Sequence, residues 1–449
     1  MNSNPRMQIA IITNGVQKTR MEKNVGNHNK NSDVLILKGM LNNLKDGLNN
    51  FELLLKLQFK ILACVMRCER KIKSLKKDNA NLRSALKKSR LPKEKSLAVK
   101  EKIKYNSEVI AAEKFKIYTY KMFGDAVAFL YIDKYTIKQL YYNVHNYNIK
   151  ETSGDLSGKS GLREEWECVK LACDNKVPAL LHDITMSIRH GDVSLLGKDE
   201  PFIIEMKSSS NTNKRVERQK SNLEKLGSFI AKDEAENFRG IPLLIRKNLL
   251  TEEESYSQIL NECLNDCRSK GMALVEAEKG FYICAVREGN MASMLENIDF
   301  DEKKEVFPVF LNQYKNNGEW LPLTPFTLLI NDPYDLHDFI EGELTIACFL
   351  MLDEYKKIAI ELGYELVFVS NDEYSILLKR IGEDIIFGVS WQMLLRVPLE
   401  MMSMSWLIKE SINVYSNSLG NSTHKDELNQ GQGNTKNSLF EKYKNLFSH

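Results

Sequence analysis

The sequence predicts a mixed α/β (α+β) protein: a long N-terminal helix, a unit in which helices and strands alternate, and a second α+β unit behind it. Three observations predict this. Val34, Leu37, Leu41, Leu44, Leu48, Phe51, Leu55, Gln58, Leu62 and Val65 keep three-four spacing, the period of a helix with a narrow apolar seam. Beyond Leu162, helical periods alternate with short apolar runs bounded by turn residues, as strands between helices do. At 449 residues the chain exceeds the roughly 250–300 at which a single core stops growing, so more than one folded unit is expected.

Residues 1–32 are polar and aperiodic and read as a disordered arm. Residues 33–105 form the coiled-coil and basic helical region. Its seam slips after Ile72 and resumes at Leu75, Asn79, Leu82 and Leu86. A polar Asn in a seam selects register and oligomer state, so a homodimer or higher homo-oligomer through residues 34–89 is expected. An antiparallel hairpin folded onto its own chain uses the same spacing and stands as the alternative. Between Arg67 and Lys104 there are 15 Lys or Arg against 4 acidic residues, whereas the whole chain carries only +3. The rest is therefore acidic on balance, and this stripe is suited to phosphate backbone contacts that do not read sequence.

Pro92 breaks the helix, and a second helical stretch follows over about 93–122. The Tyr-rich run 118–147 reads as core, and the loop 151–161 lacks the spacing of a nucleotide P-loop. Next come a helix over 162–174, strands near 191–196 and 201–208, and a helix over 213–231. A strand near 242–246, a helix over 252–269 and strands near 272–277 and 280–286 complete a domain spanning 106–290. The second unit, 291–415, is expected to hold a helix over 335–361, strands near 364–370, 374–380 and 385–390, and a helix near 403–415. Residues 416–438 read as a flexible linker, and 439–449 as a short amphipathic helix able to dock on this chain or a partner.

Composition excludes several classes. Hydrophobic residues at 43% and charged residues at 27% describe a globular chain. Charges at Glu52, Lys56 and Lys60 interrupt the most apolar long segment, which argues against a membrane span, and no secretory signal is visible, so a cytoplasmic location is expected. The eight cysteines include no Cys-x-x-Cys pair and read as reduced structural thiols rather than a zinc site.

Chemistry concentrates in RHGDVSLLGKDEPFIIEMKSS, residues 189–209. Glu205 and Lys207 are two apart, on one face of a strand, and the turn GKDEP folds that strand back beside the one starting at Asp192. Converging carboxylates repel, and a hard divalent cation such as Mg2+ or Mn2+ relieves the repulsion. A lysine beside them can orient an attacking water or stabilise charge on a scissile phosphate. The triplet alone is weak, because Glu69-Arg70-Lys71, Glu302-Lys303-Lys304 and Glu354-Tyr355-Lys356 also match; only 205–207 ends an apolar strand behind an upstream Gly-Asp.

In those residues, about 160–250 of the chain resembles the PD-(D/E)XK nuclease superfamily, with Gly191 where the family name has Pro. The resemblance implies a restriction-endonuclease-like mixed sheet flanked by helices, and metal-dependent phosphodiester hydrolysis acting on DNA in restriction, repair or defence against foreign DNA. It implies catalytic roles for Asp192, Glu205 and Lys207, with Asp192, Glu205 and Met206 in the metal set. Such proteins often carry an acidic residue on the preceding helix. Of Glu164, Glu165 and Glu167, only Glu165 lies at the edge of the apolar stripe set by Leu162, Trp166, Val169 and Cys173, so it joins the catalytic and metal sets. On the following helix, Gln219 resembles the glutamine of RecB-like branches, with Leu223 where those carry Tyr. Arg215 and Arg218 are candidates to clamp phosphates. The competing reading is a non-catalytic coiled-coil scaffold or nucleic-acid-binding protein with an ordinary or degenerate hairpin. A third gives the unit beyond 290 a regulatory role, sensing a ligand or protein partner and restraining the nuclease.

Overall fold

The computed structural model describes residues 32–88, 91–151, 154–196, 200–206, 214–287, 305–369, 373–420, 439 and 442–447. Lys207 and all but the last residue of the expected arm lie outside them, as do 421–438 of the expected linker. The chain divides into two compact units. Of the described residues, one holds those within 14–240 and 318–340, the other those within 241–317 and 341–449. The boundary expected between residues 105 and 106 falls inside the first unit.

Three long helices begin that unit: α1 (Ser32–Asp46), α2 (Phe51–Lys88) and α3 (Lys93–Tyr131). The seam expected to run unbroken from Val34 is interrupted at residues 47–50, where Gly47 closes one helix and the Asn50 side chain caps the next by accepting from Leu53 N at 3.0 Å. The Asp-Gly-Leu-Asn-Asn stretch, a stop followed by a cap, carries the signal. α1 folds back on α2, with Asp33 paired to Lys60 (2.8 Å) and Arg67 (2.6 Å). α2 and α3 run antiparallel, tied by Lys71 to Glu113 at 2.8 Å. Asn79, the polar seam residue expected to set a dimer register, receives a 2.9 Å bond from Asn106 Nδ2 within the same chain. The hairpin alternative is thus the arrangement observed. Of the expected seam, Val34, Leu37, Leu41, Leu44, Gln58 and Val65 are fully buried by their own chain, whereas Leu48 is exposed and Phe51 and Leu55 are half-buried, α2 burying Leu54, Leu57 and Ile61 instead.

After α4 (Lys134–Tyr141) and α5 (Leu162–Asp174) comes a three-stranded antiparallel sheet in the order β1 (Ala179–Leu181), β2 (Val193–Leu195), β3 (Phe202–Ile204). β1 is absent from the expected strands because its apolar run is three residues long, too short for a period to register. α6 (Lys214–Lys232) and β4 (Glu234–Phe238) follow. The sheet leans on the hairpin through polar contacts. Buried Gln58 of α2 donates to Ala179 O (2.9 Å) and accepts from Leu181 N (3.0 Å), so it pairs like a neighbouring strand. Gly124 of α3 lets the chain at Ile184 come so close that a Cβ there would sit 2.0 Å from Ile184 O. Buried Asp125 accepts from Met186 N and Ser187 N, and burial pushes its carboxyl up to about 6. The segment 318–340 adds an aromatic cluster of Trp320, Phe326 and Phe339, and Thr327 donates to Met122 O at 2.9 Å. Buried Tyr118, Tyr120 and Tyr141 agree with the core reading of the Tyr-rich run.

The second unit contains β5 (Ile241–Ile245), α7 (Ser257–Lys270), β6 (Met272–Glu278), β7 (Phe281–Arg287), β8 (Val306–Phe310), α8 (Leu311–Asn317) and β9 (Leu344–Met351). It continues with α9 (Leu352–Glu361), β10 (Tyr364–Phe368), β11 (Ile376–Arg380), β12 (Ile386–Val389), α10 (Trp391–Glu400) and α11 (Met404–Gly420). One sheet runs β6-β7-β9-β8 and another β10-β11-β12. Pro308 is tolerated because β8 lies at an edge. The helix expected over 335–361 is instead two helices around β9, an almost wholly buried strand in the interior of its sheet. Buried on both faces, LTIACFLM shows no alternation, so its period does not separate strand from helix. The first part of the expected linker, 416–420, belongs to α11. The C-terminal helix docks on this chain, with Tyr443 buried against Leu377 and Ile386. Every strand pairing within these sheets is antiparallel, so the parallel pairing of the expected mixed sheet is not found among the described strands. No described helix is long and apolar enough to cross a membrane.

Gln58→Ala is expected to leave the Ala179 carbonyl and Leu181 N–H buried without partners, lowering stability by about 2–4 kcal/mol. Urea denaturation followed in the first unit checks it, as a lower midpoint at unchanged slope.

Candidate active site

β2 is the middle strand of its sheet, and Asp192 stands at its start. Gly191 makes this possible: its φ is +74°, and a Cβ there would lie 2.3 Å from Ile203 Cγ2 and 3.0 Å from Ile204 O. Only glycine meets both demands without strain, so Asp192 is reached through a backbone bend that other residues resist. Asp192 is then held on both sides, its carbonyl accepting from His182 N (2.9 Å) and its N–H donating to Ile204 O (2.8 Å). Its Oδ2 accepts from Met206 N at 2.8 Å, which closes the strand end around it.

β3 stops at Ile204, so Glu205 and Met206 follow the strand rather than lie within it, and strand alternation does not fix their faces as expected. Glu205 is positioned by the next helix instead. Its Oε1 accepts from Gln219 Nε2 at 3.1 Å. The candidate glutamine on α6 therefore touches the candidate carboxylate. The Arg215 side chain lies outside what is described, as does Lys207.

Glu165 is 3% exposed on α5, as the helix phase predicts. It does not face solvent or a bare apolar wall. Its Oε2 lies 2.8 Å from Lys159 Nζ, an ammonium that also meets Asp183 Oδ2 at 2.7 Å and approaches Asp192 Oδ1 to 3.6 Å. Lys159 thus gathers carboxylates from α5, from the 3-10 turn His182–Ile184 and from the start of β2. Burial pushes the Glu165 carboxyl up to about 7 against the Lys159 ammonium, with Asp192 and Asp183 adding repulsion. Burial disfavours the Lys159 charge, yet the Asp183 and Glu165 carboxylates outweigh it and hold the ammonium above its usual range.

A second lysine borders the site. Lys150 Nζ lies 3.4 Å from His190 Nδ1, and His190 Nε2 lies 2.9 Å from Tyr142 O. A carbonyl only accepts, so the imidazole proton is on Nε2 and the Nδ1 lone pair faces the lysine. Burial lowers the Lys150 pKa, opposed by the Glu205 and Asp192 charges. Burial also takes His190 down to about 3 and His182 down to about 4, so both rings are neutral at pH 7. His182 Nε2 bonds Ser194 Oγ at 2.6 Å, which marks it as structural.

Asp192 and Glu165 are thus brought to one point, while Glu205 and Met206 stand at the adjacent strand end with Gln219. Lys159, Asp183 and Lys150 join the site without having been singled out by the sequence. Lys159 lies in a loop notable in sequence only for lacking P-loop spacing; its signal is a lysine placed immediately before the acidic helix. Among the described residues no group of three or more His, Cys, Asp and Glu side chains is arranged to hold a metal. The donor chemistry nevertheless fits a hard cation: the side chains that converge all offer oxygen, and a positive group already sits among them. No family model, curated protein or solved structure matches the chain.

Gly191→Ala is expected to cost more than about 1 kcal/mol, because positive φ and steric conflict act together; calorimetry checks it. The raised Glu165 pKa also has a sign. The native carboxyl keeps its proton from the ordinary 4.5 up to about 7, so this group favours the fold below that window and its contribution is lost as pH rises through it. Melting temperatures between pH 4.5 and 7.5 should therefore decline less steeply with pH in Glu165→Gln than in wild type.

Proposed function

We propose that the chain is a metal-dependent nuclease of PD-(D/E)XK type, hydrolysing phosphodiester bonds of DNA. The observation that carries this reading is the approach of Asp192, at the start of the middle strand, and Glu165, from the preceding helix, to the one ammonium of Lys159, beside Glu205 and Met206 after β3. Asp192, Glu205, the Met206 main chain and Glu165 are the groups that would hold Mg2+ or Mn2+. Such an ion, when bound, lowers the pKa of a water and polarises the scissile phosphate.

The chain's own residues have distinct tasks in this reading. The Met206 N–H fixes Asp192, and Gln219 fixes Glu205, so both carboxylates are set before substrate arrives. Lys207 positions the attacking water. The α2–α3 hairpin supports the nucleic-acid part: Lys73, Lys76, Lys77, Arg83, Lys87, Lys93, Lys95 and Lys100 lie toward its far end, most of them exposed, where they can meet phosphates.

Purified protein incubated with duplex DNA and Mg2+ tests the proposal. Asp192→Ala and Lys207→Ala are expected to lower cleavage at least about a hundredfold, the scale of losing a group acting on the reacting phosphate; cleavage equal to wild type would refute the assignment. The scaffold reading expects no such difference. Replacing Lys73, Lys76, Lys77 and Lys87 by Ala should flatten the dependence of log affinity on log salt by roughly 0.9 for each phosphate no longer neutralised. Fluorescence anisotropy across a salt series measures it.

A further inference from the structure

The two faces of the β10-β11-β12 sheet are covered differently. On one, Leu378 stands opposite Phe387, and Phe387 stacks on Tyr415 of α11 with ring centroids 4.2 Å apart. On the other, Leu377 stands opposite Gly388 and Lys379 opposite Ile386. A Cβ at Gly388 would lie 2.1 Å from the Tyr374 ring, so this glycine lets the ring lie against the sheet on the same face. Leu377 and Ile386 are 0% and 2% exposed there. Their cluster is completed by the C-terminal segment: Tyr443 is buried in it, and Leu439 and Phe447 pack against it with Val369 and Tyr374.

Three features make this cover separable. It is short, with helix at 439 and 442–443 passing into a 3-10 turn over Lys444–Phe447, and helices of that length are marginal in water on their own. It is lightly held. Among its described residues only Tyr443 is buried, Leu446 is 45% exposed, and Lys442 meets Glu373 at 3.5 Å with each side chain 56% exposed. Lastly, residues 421–438, which join it to α11, are all polar or glycine except Leu428. A segment tethered in this way occupies its site through effective concentration more than through intrinsic affinity. Without it, Leu377, Ile386 and Val369 would form an apolar patch on a sheet face, a surface suited to an amphipathic helix.

We propose that this face of the β10-β11-β12 sheet is a docking surface for an amphipathic helix of a partner protein, and that the C-terminal segment is a resident stand-in which the partner displaces. The seated segment defines the partner's chemistry. Large apolar side chains are required at i, i+4 and i+8, as Leu439, Tyr443 and Phe447 are placed, with a basic residue beside the central one to meet Glu373 as Lys442 does. Lys379 Nζ lies 5.9 Å from the centre of the Phe447 ring, which favours an aromatic at the last position. The partner competes with a tethered segment, so the tail sets a concentration threshold for its binding.

A fluorescent peptide of residues 436–449, titrated into the full chain and followed by anisotropy, tests this. The Tyr443→Ala chain is expected to bind the peptide at least about tenfold tighter than wild type, because its tethered competitor is weakened. The peptide carrying Tyr443→Ala should bind neither chain. Equal or weaker affinity of the Tyr443→Ala chain, binding of the substituted peptide, or no binding to either chain overturns the docking surface. Sedimentation identifies a different occupant: self-association of wild type that Tyr443→Ala abolishes would give the face to a second copy's C-terminal segment and overturn the partner assignment. Hydrogen exchange on wild type needs no variant. Amides of 442–447 should exchange faster than those of β11, and faster still with excess isotope-labelled peptide. Protection of 442–447 that the peptide leaves unchanged refutes displacement even if Tyr443→Ala fails to fold.

Discussion

Gln58 and Glu69 lie on one face of α2, about three turns apart, and between them they decide where the candidate site can form. Gln58 acts as a surrogate strand edge for β1, and Glu69 binds two backbone N–H groups of the loop that presents Lys159. Both are buried polar groups inside a helix whose inward residues are mostly apolar, so each would be costly without its partner. The sheet that carries Asp192 and the loop that carries Lys159 are therefore referenced to the same rigid rod. α5, with Glu165, closes the arrangement from a third direction. The α2–α3 hairpin is a structural frame for the site, not an appendage to it.

Charge follows from that frame. Asp183, Glu165 and Asp192 are held close enough to repel, and the unit answers with a lysine in their midst and a second, Lys150, near Asp192 and Glu205. In the proposed function, the oxygen donors at the edge of the small sheet would face a hard cation, and the exposed lysines of the hairpin the phosphates of the substrate.

Local features of the chain place some of the candidate residues. Helix phase placed Glu165 at the buried edge of α5, and the Gly-Asp followed by an apolar run marked Asp192 and Glu205. The place of Gln219 on the next helix puts it within reach of Glu205, whose Oε1 accepts from its Nε2. What stayed hidden depends on long-range packing. Lys159 sits in a Gly- and Ser-rich loop whose position is fixed by Glu69, 87 residues earlier in the chain than Leu156. Asp183 lies in a 3-10 turn after a three-residue strand, too short for any periodic signal. The three-four seam foretold helices but not their partners, because an intrachain hairpin and a dimer bury identical stripes. β9 was hidden for the opposite reason, being apolar on both faces.

The proposed divalent-cation site, formed by Asp192 and its neighbours at the end of the small sheet, is tested most directly by a crystal of the full chain soaked in Mn2+ and measured for anomalous scattering. The expected result is an anomalous peak within coordination distance of the Asp192 carboxylate. A map with no peak there would contradict it.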